Sequence, residues 1–132
     1  MVNMNIKNID HIVLTVKDID ITIKFYTSVL GMVVELFGED RVALQFGNQK
    51  INLHKQHYEF EPKSNLPTPG SADLCFITDT KLELAMEHVK HCGVKILEGP
   101  VERTGASGSI FSFYFRDPDK NLIEVGTYAK SP

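Results

Sequence analysis

Tryptophan is absent, cysteine occurs only twice, and no apolar run approaches the roughly 20 residues that a membrane span requires. The two cysteines, Cys75 and Cys92, have no CxxC spacing and sit among apolar neighbours. They are therefore expected to be reduced, buried thiols in the cytosol. A basic cluster is also missing. Lys and Arg number 14 against 17 Asp and Glu, a formal net charge of −3, which leaves no electrostatic handle for nucleic acid or an anionic membrane. The opening Met1-Val2-Asn3-Met4-Asn5 lacks the basic start and apolar stretch of a secretory signal, so a cytoplasmic location is expected. What remains is a chain of 132 residues, 42% hydrophobic and 23% charged, with eight Phe. That length suits one domain, residues 1–132, which needs no disulfide or metal merely to fold.

The chain repeats itself. Shifted by 62 positions, Asp10-His11-Ile12-Val13-Leu14-Thr15 overlies Ala72-Asp73-Leu74-Cys75-Phe76-Ile77, and Gly31-Met32-Val33-Val34 overlies Gly93-Val94-Lys95-Ile96. A second correspondence, Ile51-Asn52-Leu53 with Ile123-Glu124-Val125, follows once the second copy is allowed a longer loop. In the first copy a strand is expected near 9–16, then a helix with Asp18 as N-cap, apolar residues at Ile19, Ile23, Tyr26 and Leu30, and Gly31 at its end. Strands near 32–38, 41–46 and 49–55 complete a βαβββ unit. In the second copy the pattern predicts a strand at 72–78, a helix at 82–92, a strand at 94–97, a polar loop at 98–108, and strands at 110–116 and 122–128. Phe111, Phe113 and Phe115 alternate onto one face and are expected in the core, and Asp117-Pro118-Asp119-Lys120-Asn121 is a strong turn signal. Module one thus spans about 6–56, a proline-bearing linker about 57–70, and module two about 71–128, with a frayed tail at Ala129–Pro132. The expected fold is α+β: two paired βαβββ modules whose sheets leave a U-shaped cleft, the natural place for a ligand.

The repeat also selects residues. Polar side chains at equivalent strand positions should face each other across the cleft, and His11, its counterpart Asp73, and Glu124, the counterpart of Asn52, stand among apolar strand residues. A carboxylate such as Glu124 is costly to bury unpaired, and a divalent cation resolves that cost by taking imidazole and carboxylate together. The plainer reading makes Glu124 and Asp73 solvated edge residues. His54 shares the face of Asn52 and is a further candidate ligand or supporting group, whereas His57, His88 and His91 read as surface. Arg103 and Thr104 could contact an anionic substrate or serve only as loop polarity, and Tyr114 could line the cleft or face solvent.

The segments Ile9-Asp10-His11-Ile12-Val13-Leu14-Thr15-Val16, Phe25-Tyr26 with Leu30-Gly31-Met32, and Phe115-Arg116-Asp117-Pro118-Asp119-Lys120-Asn121-Leu122-Ile123-Glu124 resemble the vicinal oxygen chelate superfamily. Within it, the segments Phe46-Gly47-Asn48-Gln49-Lys50-Ile51-Asn52-Leu53-His54, Phe60-Glu61-Pro62-Lys63 and Gly99-Pro100-Val101-Glu102-Arg103-Thr104-Gly105-Ala106 resemble the short glyoxalase domain-containing proteins and bacterial virulence-associated relatives. The resemblance implies a divalent metal (Zn, Ni, Mn or Fe) held by His11, Asp73 and Glu124, with Glu124 as general base. Asn52 stands where glyoxalase I carries a carboxylate, and Asp73 where it carries a His, which argues against lactoylglutathione lyase activity itself. The implied function is a metal-dependent lyase or isomerase acting on a small oxygenated carbonyl compound or its thiol adduct. The alternatives are a fosfomycin-type thiol transferase and a metal-free ligand-sequestering protein. A dioxygenase would want two His and one carboxylate. A homodimer is expected.

Overall fold

In the computed structural model, which describes residues 1–128, the chain runs β1 (His11–Val16), α1 (Ile19–Leu30), β2 (Val33–Phe37), β3 (Arg41–Phe46), β4 (Gln49–Lys55), β5 (Asp73–Ile77), α2 (Leu82–His91), β6 (Glu98–Gly105), β7 (Gly108–Arg116) and β8 (Leu122–Tyr128). The expected fraying of Ala129–Pro132 lies outside the described residues. The strands form two four-stranded sheets of identical plan, β1-β4-β3-β2 and β5-β8-β7-β6, in which only the first and last strands of each module run parallel. Two βαβββ modules are the result. Among the described residues no helix is long and apolar enough to cross a membrane.

Local chemistry sets the helix limits. The Asp18 carboxylate accepts the Ile21 N–H at 2.9 Å and so satisfies one of the donors a helix start leaves unpaired. Gly31 ends α1 at φ 67°, a conformation that costs little only without a side chain. α2 lacks a side-chain cap, but His88, Lys90 and His91 crowd its last turn, where positive charge suits the helix dipole.

A single apolar core joins the modules. Leu14, Val16, Leu44, Ile51 and Leu53 of the first sheet share it with Phe113, Phe115, Ile123 and Val125 of the second, together with Tyr26 and Val29 of α1 and Val89 of α2. Phe25 of α1 lies 6.2 Å from Phe115 between ring centroids, and Phe46 meets Phe76 edge-on at 5.3 Å. The aspartate–proline turn supplies the polar joint. Buried Asp117 accepts the Tyr26 hydroxyl at 2.6 Å, the Asn121 side-chain amide at 2.8 Å, and the backbone N–H groups of Asp119 and Asn121, both at 2.9 Å. Asn121 in turn accepts the Ala72 N–H at 2.8 Å, just ahead of β5. Gly70, at φ 83°, packs so closely on this turn that a Cβ would stand 2.6 Å from the Asp119 carbonyl oxygen.

Four expectations fail, the burial of the two cysteines among them. Residues 98–105 form a strand rather than a loop, because they pair with the outer edge of β7, and a bulge between Glu98 and Val101 absorbs Gly99-Pro100. Val94 and Ile96, expected in a strand, lie outside any and pack against the core instead. Phe111 is 42% exposed, so the aromatic stripe is core only at Phe113 and Phe115. Both cysteines are free and exposed: Cys75 shares the face of Asp73, opposite the core-facing Leu74 and Phe76, and Cys92 follows the last turn of α2.

Candidate functional site

Since strand residues alternate between faces, filling the core with one face of each sheet leaves the other face for chemistry. On the first sheet that face carries His11, Val13, Asn52 and His54, and on the second Asp73, Cys75, Glu124 and Tyr114. The registers repeat: Val13 stands beside Asn52 as Cys75 stands beside Glu124.

On the first sheet, the His11 Nδ1 bonds to the Asp10 carboxylate at 2.8 Å, which orients the ring. Asn52 and His54 are buried, and neither the Asn52 Oδ1 nor the His54 Nε2 has a hydrogen-bond partner. Phe60, from the segment after β4, stacks edge-on to His54 at 5.5 Å and lies under the Arg41 guanidinium at 4.5 Å. Burial, and then the Arg41 charge, push the His54 imidazole below its usual range, with Glu59 opposing. Glu35, on β2, also holds a buried unpaired oxygen, Oε2, and shares a cross-strand row with Asn52 through Ala43. Sequence reasoning passed over Glu35. Its place on the Asn52 face was readable only once the pairing of β2, β3 and β4 was known.

On the second sheet, Glu124, Tyr114, Arg103 and Thr104 line one cavity of about 380 Å³, together with Cys75 and Tyr128. The Glu124 Oε2 accepts the buried Ser112 hydroxyl at 2.6 Å. Burial first, and Glu124 second, push the Cys75 thiol up to about 11. The Arg103 Nε donates to the Tyr114 hydroxyl at 3.1 Å. Cys75 and Tyr128 are additions to the residues expected here, and the strand alternation that exposes Asp73 was the available signal for Cys75. A second crevice, about 350 Å³ between the modules, is lined mainly by apolar residues. Its histidine, His88, is committed to the last carbonyls of α1, Ser28 at 3.0 Å and Val29 at 3.1 Å.

One chain does not bring the three expected ligands together. His11 belongs to the first sheet, Asp73 and Glu124 to the second, and among the described residues no group of three or more His, Cys, Asp or Glu converges on a common point. The physical reason is the shared core. It occupies the helix-bearing faces of both sheets, so the faces that carry the donors do not meet within the chain.

Residues 8–125 match the glyoxalase/bleomycin resistance protein/dioxygenase superfamily. The chain belongs to it. A virulence protein of Salmonella typhimurium, STM3117, is 58% identical over 127 residues, which cover 96% of this chain and 88% of that protein. The glyoxalase domain-containing protein RDO1 of Mycosarcoma maydis is 52% identical over 95% of this chain and 70% of its own length. An integron cassette protein of Vibrio cholerae superposes with a TM-score of 0.95 at 62% identity, covering 97% of this chain and all of that one. As a glyoxalase-superfamily chain it carries donors that suit a divalent cation: an imidazole nitrogen oriented by a carboxylate, two further carboxylates, and a buried amide oxygen without a partner.

Proposed function

We propose that this superfamily member is a metal-dependent lyase or isomerase of the glyoxalase type, acting on a small oxygenated carbonyl compound or its thiol adduct. The residues that would hold the ion are His11, Asp73 and Glu124, with Asn52 and His54 beside them. Because the donor faces turn away from the common core, the site is completed by a second copy, the first sheet of one chain meeting the second sheet of the other. The observation that carries the reading is Glu124, a strand carboxylate opening into a cavity of about 380 Å³.

When bound, the ion would supply Lewis acidity toward two neighbouring substrate oxygens. The remaining steps belong to the chain. Asp10 holds the His11 ring through Nδ1 at 2.8 Å and so fixes its orientation. Ser112 fixes one oxygen of Glu124 by its 2.6 Å bond and leaves the other free to take a proton from the substrate carbon and return it to the neighbouring one. Ile77 and Ile110 supply the apolar part of the cavity wall beside Glu124.

Metal analysis of protein prepared without chelator tests this. His11→Ala and Glu124→Ala are each expected to lose the ion, and full occupancy in both refutes the assignment. Mixing equal amounts of the two variants and letting subunits exchange restores one of the two sites in each mixed dimer, about a quarter of all sites, if two copies share each site, and none if each chain is self-sufficient. Offering the hemithioacetal of methylglyoxal, and separately fosfomycin with glutathione, distinguishes the isomerase from the thiol transferase. A metal-free sequestering role is favoured by one feature, the satisfaction of Glu124 by Ser112 without an ion. Ligand binding unaltered by metal removal would support it.

A further inference from the structure

We infer that Arg103, set by the Tyr114 hydroxyl, holds a carboxylate of the substrate, which makes the substrate a short oxygenated carboxylic acid. This rests on the reading of Glu124 as the reacting group in the same cavity. Arg103 leaves β6 opposite Ile110, four residues along β7 from Tyr114, yet its side chain runs back along the sheet to reach it. The Nε donates to the Tyr114 hydroxyl at 3.1 Å, and the guanidinium carbon stands 5.6 Å from the ring centre. One terminal nitrogen donates to the Glu102 carbonyl at 3.0 Å and the other to Glu98 at 3.2 Å. A guanidinium carries five N–H groups, so these three bonds leave two.

The contact with Glu98 is the weak one. Both partners are substantially exposed, at 41% and 57%, and an exposed ion pair yields readily to a better-placed anion. Tyr114 pairs directly with Glu124 across β7 and β8, about 5 Å away between Cβ atoms. The cationic anchor and the reacting carboxylate therefore flank one small cavity from neighbouring strands. A molecule of a few carbons can seat its acid group on Arg103 while its other oxygens turn toward Glu124. The planar fork suits a carboxylate, which takes two parallel N–H bonds, and the repulsion from Glu124 keeps that acid group at the Arg103 end. Thr104 and the Tyr128 hydroxyl, which accepts the Ser107 N–H at 3.1 Å, lie on the same rim.

Malate serves as probe, with its neutral diamide as control, in calorimetric titrations of the chelator-treated full chain. Wild type is expected to bind malate about tenfold or more tightly than the diamide, and Arg103→Gln to weaken malate by a similar factor. Glu98→Gln, which frees the competing N–H, is expected to tighten malate about threefold. Arg103 is exposed, so its variant should keep the wild-type far-UV spectrum and melting point; if it does not, Glu98→Gln decides. No saturable malate binding, equal affinity for malate and diamide, or malate affinity unchanged by both substitutions overturns the inference. Metal uptake measured on the same variants separates the two readings, since Arg103 and Glu98 are not among the residues that would hold the ion. Loss of the malate effect with metal uptake intact sinks the anchor alone, and the reverse sinks the metal site alone.

Discussion

Replacing Tyr26 with Phe removes one oxygen from the joint between the modules and leaves the ring in place. That hydroxyl donates to the Asp117 carboxylate at 2.6 Å, with Tyr26 fully buried and Asp117 only 4% exposed. A hydrogen bond to a charged partner contributes about 1.5–3 kcal/mol. Asp117 Oδ2 keeps its bond from Asn121, and the ring keeps its edge contact with Phe25 at 5.5 Å, so no second penalty adds to the loss. The expected cost is about 2 kcal/mol, read as a lower urea midpoint at unchanged slope and a melting point reduced by several degrees. A second signature comes from pH. Burial, reinforced by the Asp117 charge, pushes the Tyr26 phenol well above its ordinary value near 10. The folded chain therefore holds a proton that the unfolded chain releases. The contribution is complete below about pH 10 and is lost as pH rises beyond it, at about 1.4 kcal/mol per pH unit. Tyr26→Phe lacks this loss, so the two stability curves converge in alkali. Equal midpoints at pH 7, or curves that stay parallel above pH 10, would refute the role given to this bond.

Asp18→Ala should cost about 1 kcal/mol through the lost N-cap of α1, measured by urea unfolding, whereas Asp18→Asn should cost little. The His54 imidazole is held below its usual value near 6.5, so its contribution is present above that pH and fades as pH falls through the lowered value. His54→Gln should flatten the decline in stability between pH 7 and pH 5. Cys75 is exposed yet its thiol is pushed up to about 11, so alkylation of metal-free protein by iodoacetamide should be slow at pH 8 and rise with a midpoint near that value. Glu124→Gln should bring the midpoint down, because the neighbouring charge is one of its causes.

The modules were legible because their signals are local. The strands at 41–46, 49–55 and 122–128 match expectation to the residue, as alternation bounded by turn residues leaves little choice of register. The same holds for Asp18 and Gly31, whose roles depend on their own dihedral angles. Residues 98–105 were misread since glycine and proline mark loops by composition, whereas their state here is decided by an unpaired edge of β7 far along the chain. Chain order identified Asn52 and Glu124 as equivalents, and the registers bear this out, but no spacing rule tells which face of a sheet the core will claim. That choice keeps His11 apart from Asp73 within one chain, exposes Cys75, and strands Glu35 Oε2 without a partner.

The stacking of Phe60 on His54 gives the duplication a handedness of access. Two halves drawn to one plan have ended with opposite fates, one thatched by the connector that follows it and the other open at its tyrosine-lined mouth. Selection acting on that connector can therefore alter what reaches the first half without disturbing a single strand.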